Sequence, residues 1–181
     1  ETIYHWASIT KTFTGIAIMQ LRDRGLLSLD DPVVKYVPEL RSVHDPYGNI
    51  SQVTIRRLMS HSAGFRAATW PWGGDQPWHP HEPADWSQIE AMYPYSEILF
   101  EPGSRYSYSN LGMSLVGRVI EVVTGETIQS YLTKNVLMPL GMNSSYFDLT
   151  PPYLRAHRAH NYEVTGGVTH DNGAEVLTGA T

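Results

Sequence analysis

The sequence predicts a single, mainly helical domain, and three observations predict it. Apolar residues recur at helical spacing behind Ser8 and again behind Asn110, Gly25 and Gly125 close those two runs, and neither an internal repeat nor a composition boundary divides the chain. At 181 residues, 41% of them hydrophobic, the chain is long enough to bury one core.

The first helix is expected over residues 8–24, where Ser8 can cap the start and Phe13, Ile16, Ala17, Ile18, Met19 and Leu21 supply the apolar density. In the stretch that follows, Asp30-Asp31-Pro32 and Pro38 punctuate short turns or helical pieces. "HDPYGN" has strong turn chemistry, and residues 53–60 then read as a short helix opened by Thr54. Residues 65–86 hold four Trp, four Pro and two Gly, a mixture that suits no regular element and predicts a long, ordered, functional loop. Pro102-Gly103 sets a turn ahead of "YSYSN", after which Leu111, Leu115, Val119 and Val122 predict a helix over 110–124. Gly112 and Gly117 permit close approach along it. A third helix is expected over 127–137, and the Gly-, Thr- and Val-rich tail from Asn161 reads as loop with one strand.

Composition excludes several functions. Charged residues are 17% of the chain, the net charge is -5, and the 13 Lys and Arg are scattered, so no basic stripe suits a nucleic acid. No run approaches about eighteen uninterrupted apolar residues, so no membrane span is expected. With no Cys there is no disulfide, thiolate zinc site or Cys nucleophile. His79-Pro80-His81 and the pair His157 and His160 lack patterned carboxylates nearby, so neither metal nor cofactor is expected.

One residue is out of place. Lys11 stands in the first turn of a helix, whose partial positive charge disfavours a cation by a few tenths to about 1 kcal/mol. Residues three apart share a helix face, so the Lys11 amine can meet the Ser8 hydroxyl. A serine is a poor nucleophile until a base takes its proton, and both a helix N-terminus and apolar burial disfavour the ammonium form, which fits a lysine for that work. The tetrad alone is weak, since Ser-x-x-Lys arises about once by chance in a chain of this size and ordinary composition. A second element lies at Tyr108-Ser109-Asn110, where a turn entering a helix sets a phenol beside a carboxamide. Tyr47-Gly48-Asn49 repeats the pattern, but within "DPYGN" it reads as turn residues.

"SITKTFTGIAIMQLRDRGLLSLDDPVVKYVPEL", "VTIRRLMSHSAGF", "PGSRYSYSNLGMSLVGRVIEVVTGE" and "VLMPLGMNSSYF", in this order, resemble the serine β-lactamase-related family, which includes class C β-lactamases, D-Ala-D-Ala carboxypeptidases and penicillin-binding-protein-like esterases. The likeness covers most of residues 6–147. It implies an α/β (α+β) serine β-lactamase or penicillin-binding-protein-like fold. By the same resemblance Ser8 is the acyl-enzyme nucleophile, Lys11 its proton partner, Tyr108 the general base or acid, and Asn110 a polar contact to Lys11 or the substrate. "SHSAGF" resembles the family's H-T-S-G segment, whose role is structural, so His61 is not expected to be catalytic.

The family's third motif, K-T-G or H-x-G on a sheet strand, has no counterpart here, and "HDNG" at residues 170–173 has the wrong spacing. The strands that precede the nucleophile helix in the family are not found either. The chain is therefore expected to be mainly the helical subdomain, a fragment without flanking strands whose missing sheet a partner chain covers; the alternatives are a self-sufficient helical domain or a dimer that buries the exposed face. Two functions follow: a serine hydrolase acting through an acyl-enzyme on ester, amide or β-lactam substrates, or a non-catalytic penicillin-binding-like module. "GMSLVG" around Ser114 misses the G-x-S-x-G elbow of an α/β-hydrolase by one position. The expected partner is a small-molecule or peptide-like acyl substrate, and the aromatic loop favours a bulky acyl group. Residues alone do not fix the compartment; the resemblance favours an extracytoplasmic one, periplasmic or secreted.

Overall fold

Thr14, Ala17, Ile18 and Leu21 fall on one side of helix α1 (Thr10–Asp23), and all four are buried. That stripe decides the packing of the molecule, whose computed structural model describes residues 2–66, 83, 85–147, 150–171 and 173. Gly25 ends α1 as expected: at φ 71 it takes the left-handed conformation, and the Leu26 N–H reaches back 3.0 Å to the Leu21 carbonyl. Short helix α2 (Ile55–Met59) starts where Thr54 accepts the Arg57 N–H on its side chain. Helix α3 (Trp86–Glu90) follows, then the long apolar helix α4 (Asn110–Thr124) and helix α5 (Ile128–Leu132). Helix α1 packs against α4 and α5, while α2 packs against α4. Their shared core includes Ile18, Leu21, Leu58, Leu115, Ile120 and Leu132.

The turn chemistry of Asp30-Asp31-Pro32 is visible in its bonds. Asp31 accepts the Ser28 N–H, the Tyr36 hydroxyl and the Lys35 ammonium, and these hold its carboxyl down at about 2. Asp30 meets the Arg56 guanidinium with both oxygens, tying this turn to α2.

Two expectations need correction. Ser8 does not cap a helix: it lies inside a 3-10 turn (Ala7–Ile9) that runs into α1, and no side chain caps either start. The tail forms two strands, not one, with β1 (Tyr162–Thr165) antiparallel to β2 (Val168–Asp171) and Tyr162 opposite Asp171. Gly166 and Gly167 turn this hairpin with φ of 60 and 79, a two-residue signal that the sequence carried openly. The third helix covers its expected range to Leu137, its last turn widening to a π turn over Thr133–Leu137. Its Asn135 carbonyl is held by Gln20 of α1, so a tertiary contact sits where the helix widens.

Most of the aromatic loop expected at 65–86 lies outside the described residues. At its ends, Phe65 is buried and Trp86 already opens α3, with its ring 5.1 Å from the Arg118 guanidinium. No described helix is long and apolar enough to cross a membrane. Ile9, Ile16, Leu26, Met138 and Leu140 remain exposed.

Gly64 is the most crowded of the described glycines. Its φ is 99, and a Cβ there would lie 2.6 Å from Ile98 Cγ2 and 2.7 Å from the Phe100 carbonyl oxygen. Backbone cannot yield as a side-chain tip can, so Gly64→Ala is expected to cost about 2–4 kcal/mol from overpacking and left-handed strain together. Urea unfolding measures this, and a loss under about 0.5 kcal/mol, typical of a surface site, would contradict it.

Candidate active site

The site is assembled from two parts of the chain separated by 100 residues. On one side is the turn that enters α1, where Ala7 at φ 44 bends the backbone immediately ahead of Ser8. Such a conformation is uncommon for a residue with a Cβ and marks local strain. Trp6 stacks on Phe13 at 5.0 Å and pins this turn to the helix. From the first turn of α1, Lys11 donates to the Ser8 hydroxyl at 3.1 Å.

On the other side is the segment that enters α4. Ser109 is the N-cap and accepts the Gly112 N–H at 3.1 Å, so Tyr108 is the last residue before the cap and Asn110 the first of the helix. The Tyr108 hydroxyl lies 2.7 Å from Ser8 Oγ, and the Lys11 ammonium lies 5.3 Å from the centre of the Tyr108 ring. Ser8, Lys11 and Tyr108 thus meet around one oxygen.

Burial of the Tyr108 ring pushes its phenol up, but the hydrogen bonds with Lys11 and Ser8, together with the Lys11 charge, outweigh it and leave the phenol below its ordinary value. Such a phenol gives up its proton more readily than a free tyrosine.

Asn110 is placed differently from the other three. Among the described residues no hydrogen bond joins its side chain to Lys11, and its Oδ1 is buried without a partner. Tyr47 of the competing Tyr-x-Asn reaches the Leu99 carbonyl instead, and the Tyr47 N–H is held by Asp45 within the turn.

The segment that carries His61 forms a seam with the residues ahead of α4. Gly64 accepts the Leu99 N–H at 2.8 Å, Ser62 the Gly103 N–H at 2.7 Å, and His61 the Ser107 N–H at 2.7 Å. Its structural expectation fits these bonds. His160 pairs with Asp171 at 2.8 Å, and His79 and His81 lie outside the described residues.

A cleft of about 810 Å³ opens beside the trio, lined among others by Trp6, Phe13, Trp86, Arg118 and Tyr146. It takes in Thr10 and Lys11 but not Ser8, Tyr108 or Asn110, so the Ser8 hydroxyl lies outside its lining, on the surface.

Comparison with known proteins agrees across sequence and structure. A family profile described as Beta-lactamase matches residues 1–181. The chain is 38% identical over 156 residues to Beta-lactamase-like protein 2 of Dictyostelium discoideum, covering 82% of this chain and 27% of that protein. It is 29% identical over 181 residues to a putative D-alanyl-D-alanine carboxypeptidase of Escherichia coli (strain K12), covering 94% of this chain and 39% of that one. The octameric penicillin-binding protein homologue from Pyrococcus abyssi superposes with a TM-score of 0.78 at 34% identity, over 99% of this chain and 41% of that chain. The chain therefore spans between 27% and 41% of the length of these relatives.

Proposed function

Because this chain belongs to the Beta-lactamase family, we propose that it carries the acyl-transfer centre of a serine hydrolase, with Ser8 as nucleophile. The observation that carries the reading is the convergence on Ser8 Oγ of Tyr108 at 2.7 Å and Lys11 at 3.1 Å. A hydroxyl held by a phenol below its ordinary value and by a cation is equipped to lose its proton.

In the proposed reaction the Tyr108 phenolate takes the Ser8 proton as Oγ forms its bond to the substrate carbonyl carbon. The Lys11 ammonium, donating to the same centre, holds the negative charge that passes between the two oxygens. Tyr108 then returns the proton to the leaving amine or alcohol as the carbon–nitrogen or carbon–oxygen bond breaks, which leaves an ester on Ser8. Water repeats the sequence in the second half, giving its proton to Tyr108, and Ser8 recovers a proton as the acid departs. Asn110, with an unpartnered buried Oδ1, is proposed to accept a polar N–H of the substrate or of Lys11. Substrates of this chemistry are esters, amides and β-lactams, and the carboxypeptidase relative supports peptide-like acyl groups among them.

Incubation with a serine-reactive phosphonate ester, followed by intact mass and peptide mapping, tests the reading. A single adduct on Ser8 is expected. A folded chain that takes no adduct would instead be a binding module that keeps the three side chains without acylation.

A further inference from the structure

His61 forms none of the bonds to Ser8, yet it holds the backbone on both sides of Tyr108. Like Ala7, it is a non-glycine residue of positive φ, at 53. In that conformation its main chain and its ring turn toward the same segment. The His61 carbonyl accepts the Ser107 N–H at 2.7 Å, and Nδ1 accepts the Ser109 N–H at 3.2 Å. Between these two bonds the imidazole lies against the Tyr108 ring, centroids 4.5 Å apart. Ser109 is buried and is the N-cap of α4, so its own N–H has no carbonyl within the helix to reach. Nδ1 supplies that acceptor.

We infer that His61 is a positioning residue for acylation: by accepting the Ser109 N–H at Nδ1 it fixes the Tyr108 hydroxyl on Ser8. An accepting Nδ1 requires the neutral ring protonated on Nε2. Burial, and then the neighbouring Lys11 charge, favour that neutral form. The rate consequence rests on the proposed acyl-enzyme reading, while the placement of Tyr108 does not.

Two substitutions separate the acceptor from the backbone. Asparagine tolerates positive φ and carries Oδ1 where histidine carries Nδ1, whereas glycine takes the same φ freely and has no acceptor. Two readouts apply to each: the rate of Ser8 phosphonylation, and the titration of Tyr108 followed by NMR of Cζ-labelled tyrosine, with Tyr108→Phe assigning the signal.

His61→Gly is expected to slow phosphonylation about tenfold, the scale of one lost hydrogen bond, and to move the Tyr108 titration up toward that of a free phenol. His61→Asn is expected to restore both, the rate to within about twofold. The inference is overturned if His61→Gly leaves both readouts unchanged, or if a folded His61→Asn loses as much as glycine does. Should glycine unfold the chain, His61→Asn alone decides. If the unsubstituted chain takes no label, the acyl-enzyme reading fails, and the Tyr108 titration still tests the positioning.

Discussion

Replacing Lys11 with alanine is expected to slow acylation of Ser8 by about 10²- to 10⁴-fold, the range by which a positioned proton-transfer partner accelerates such a step. Two losses combine in that figure. The substitution removes the donor 3.1 Å from Ser8 Oγ, and it removes the cation that helps to hold the Tyr108 phenol below its ordinary value. Stability should barely change, because Lys11 is not one of the buried residues of α1 and alanine is a better helix former at a position that penalises a cation. A melting temperature within about 2 °C is expected, corresponding to a surface-type change of about 0.5 kcal/mol. Stopped-flow acylation with a chromogenic ester measures the first quantity and thermal unfolding the second. Unchanged acylation kinetics in a folded variant would remove Lys11 from the mechanism.

The parts of the molecule legible in the sequence were those specified locally. Gly25 and Gly125 ended their helices because a left-handed terminus selects glycine, and Thr54 opened α2 because its side chain caps. Ser8 and Lys11 were readable as a pair because one turn brings them together. Tyr108 was readable only through its motif, since nothing local to residues 106–110 brings a phenol to a serine 100 positions away. His61 shows the limit more sharply. Its importance lies in two bonds to a distant segment and in a φ of 53, and neither leaves a trace in "SHSAGF" beyond the presence of a histidine that tolerates such a backbone. The widened end of the third helix likewise meets Gln20 on another element, a contact that no local pattern announces. The hairpin, by contrast, is a miss of the sequence reading, which expected one strand although Gly166-Gly167 is a local turn signal.

Tyr108→Phe is expected to slow acylation as severely as Lys11→Ala, by about 10²- to 10⁴-fold, and to change its pH dependence in a way that Lys11→Ala does not. Phenylalanine keeps the ring that packs on His61 and removes only the oxygen 2.7 Å from Ser8. The sign of the pH effect follows from the role. A phenol that acts as base must be ionised, so acylation should rise with pH through the Tyr108 titration and level off above it. Because burial is outweighed by Lys11 and Ser8, that rise should lie below the ordinary value of a phenol, near 10. In Lys11→Ala the same rise should persist but move upward, since two of the influences that lower the phenol come from Lys11. In Tyr108→Phe it should vanish. Acylation in the double variant should fall by less than the product of the two single losses, because groups that share one proton act as a unit. A Tyr108→Phe chain that retains the pH rise would assign the base to another group, and Lys11, the second side chain on Ser8 Oγ, would be the one to examine.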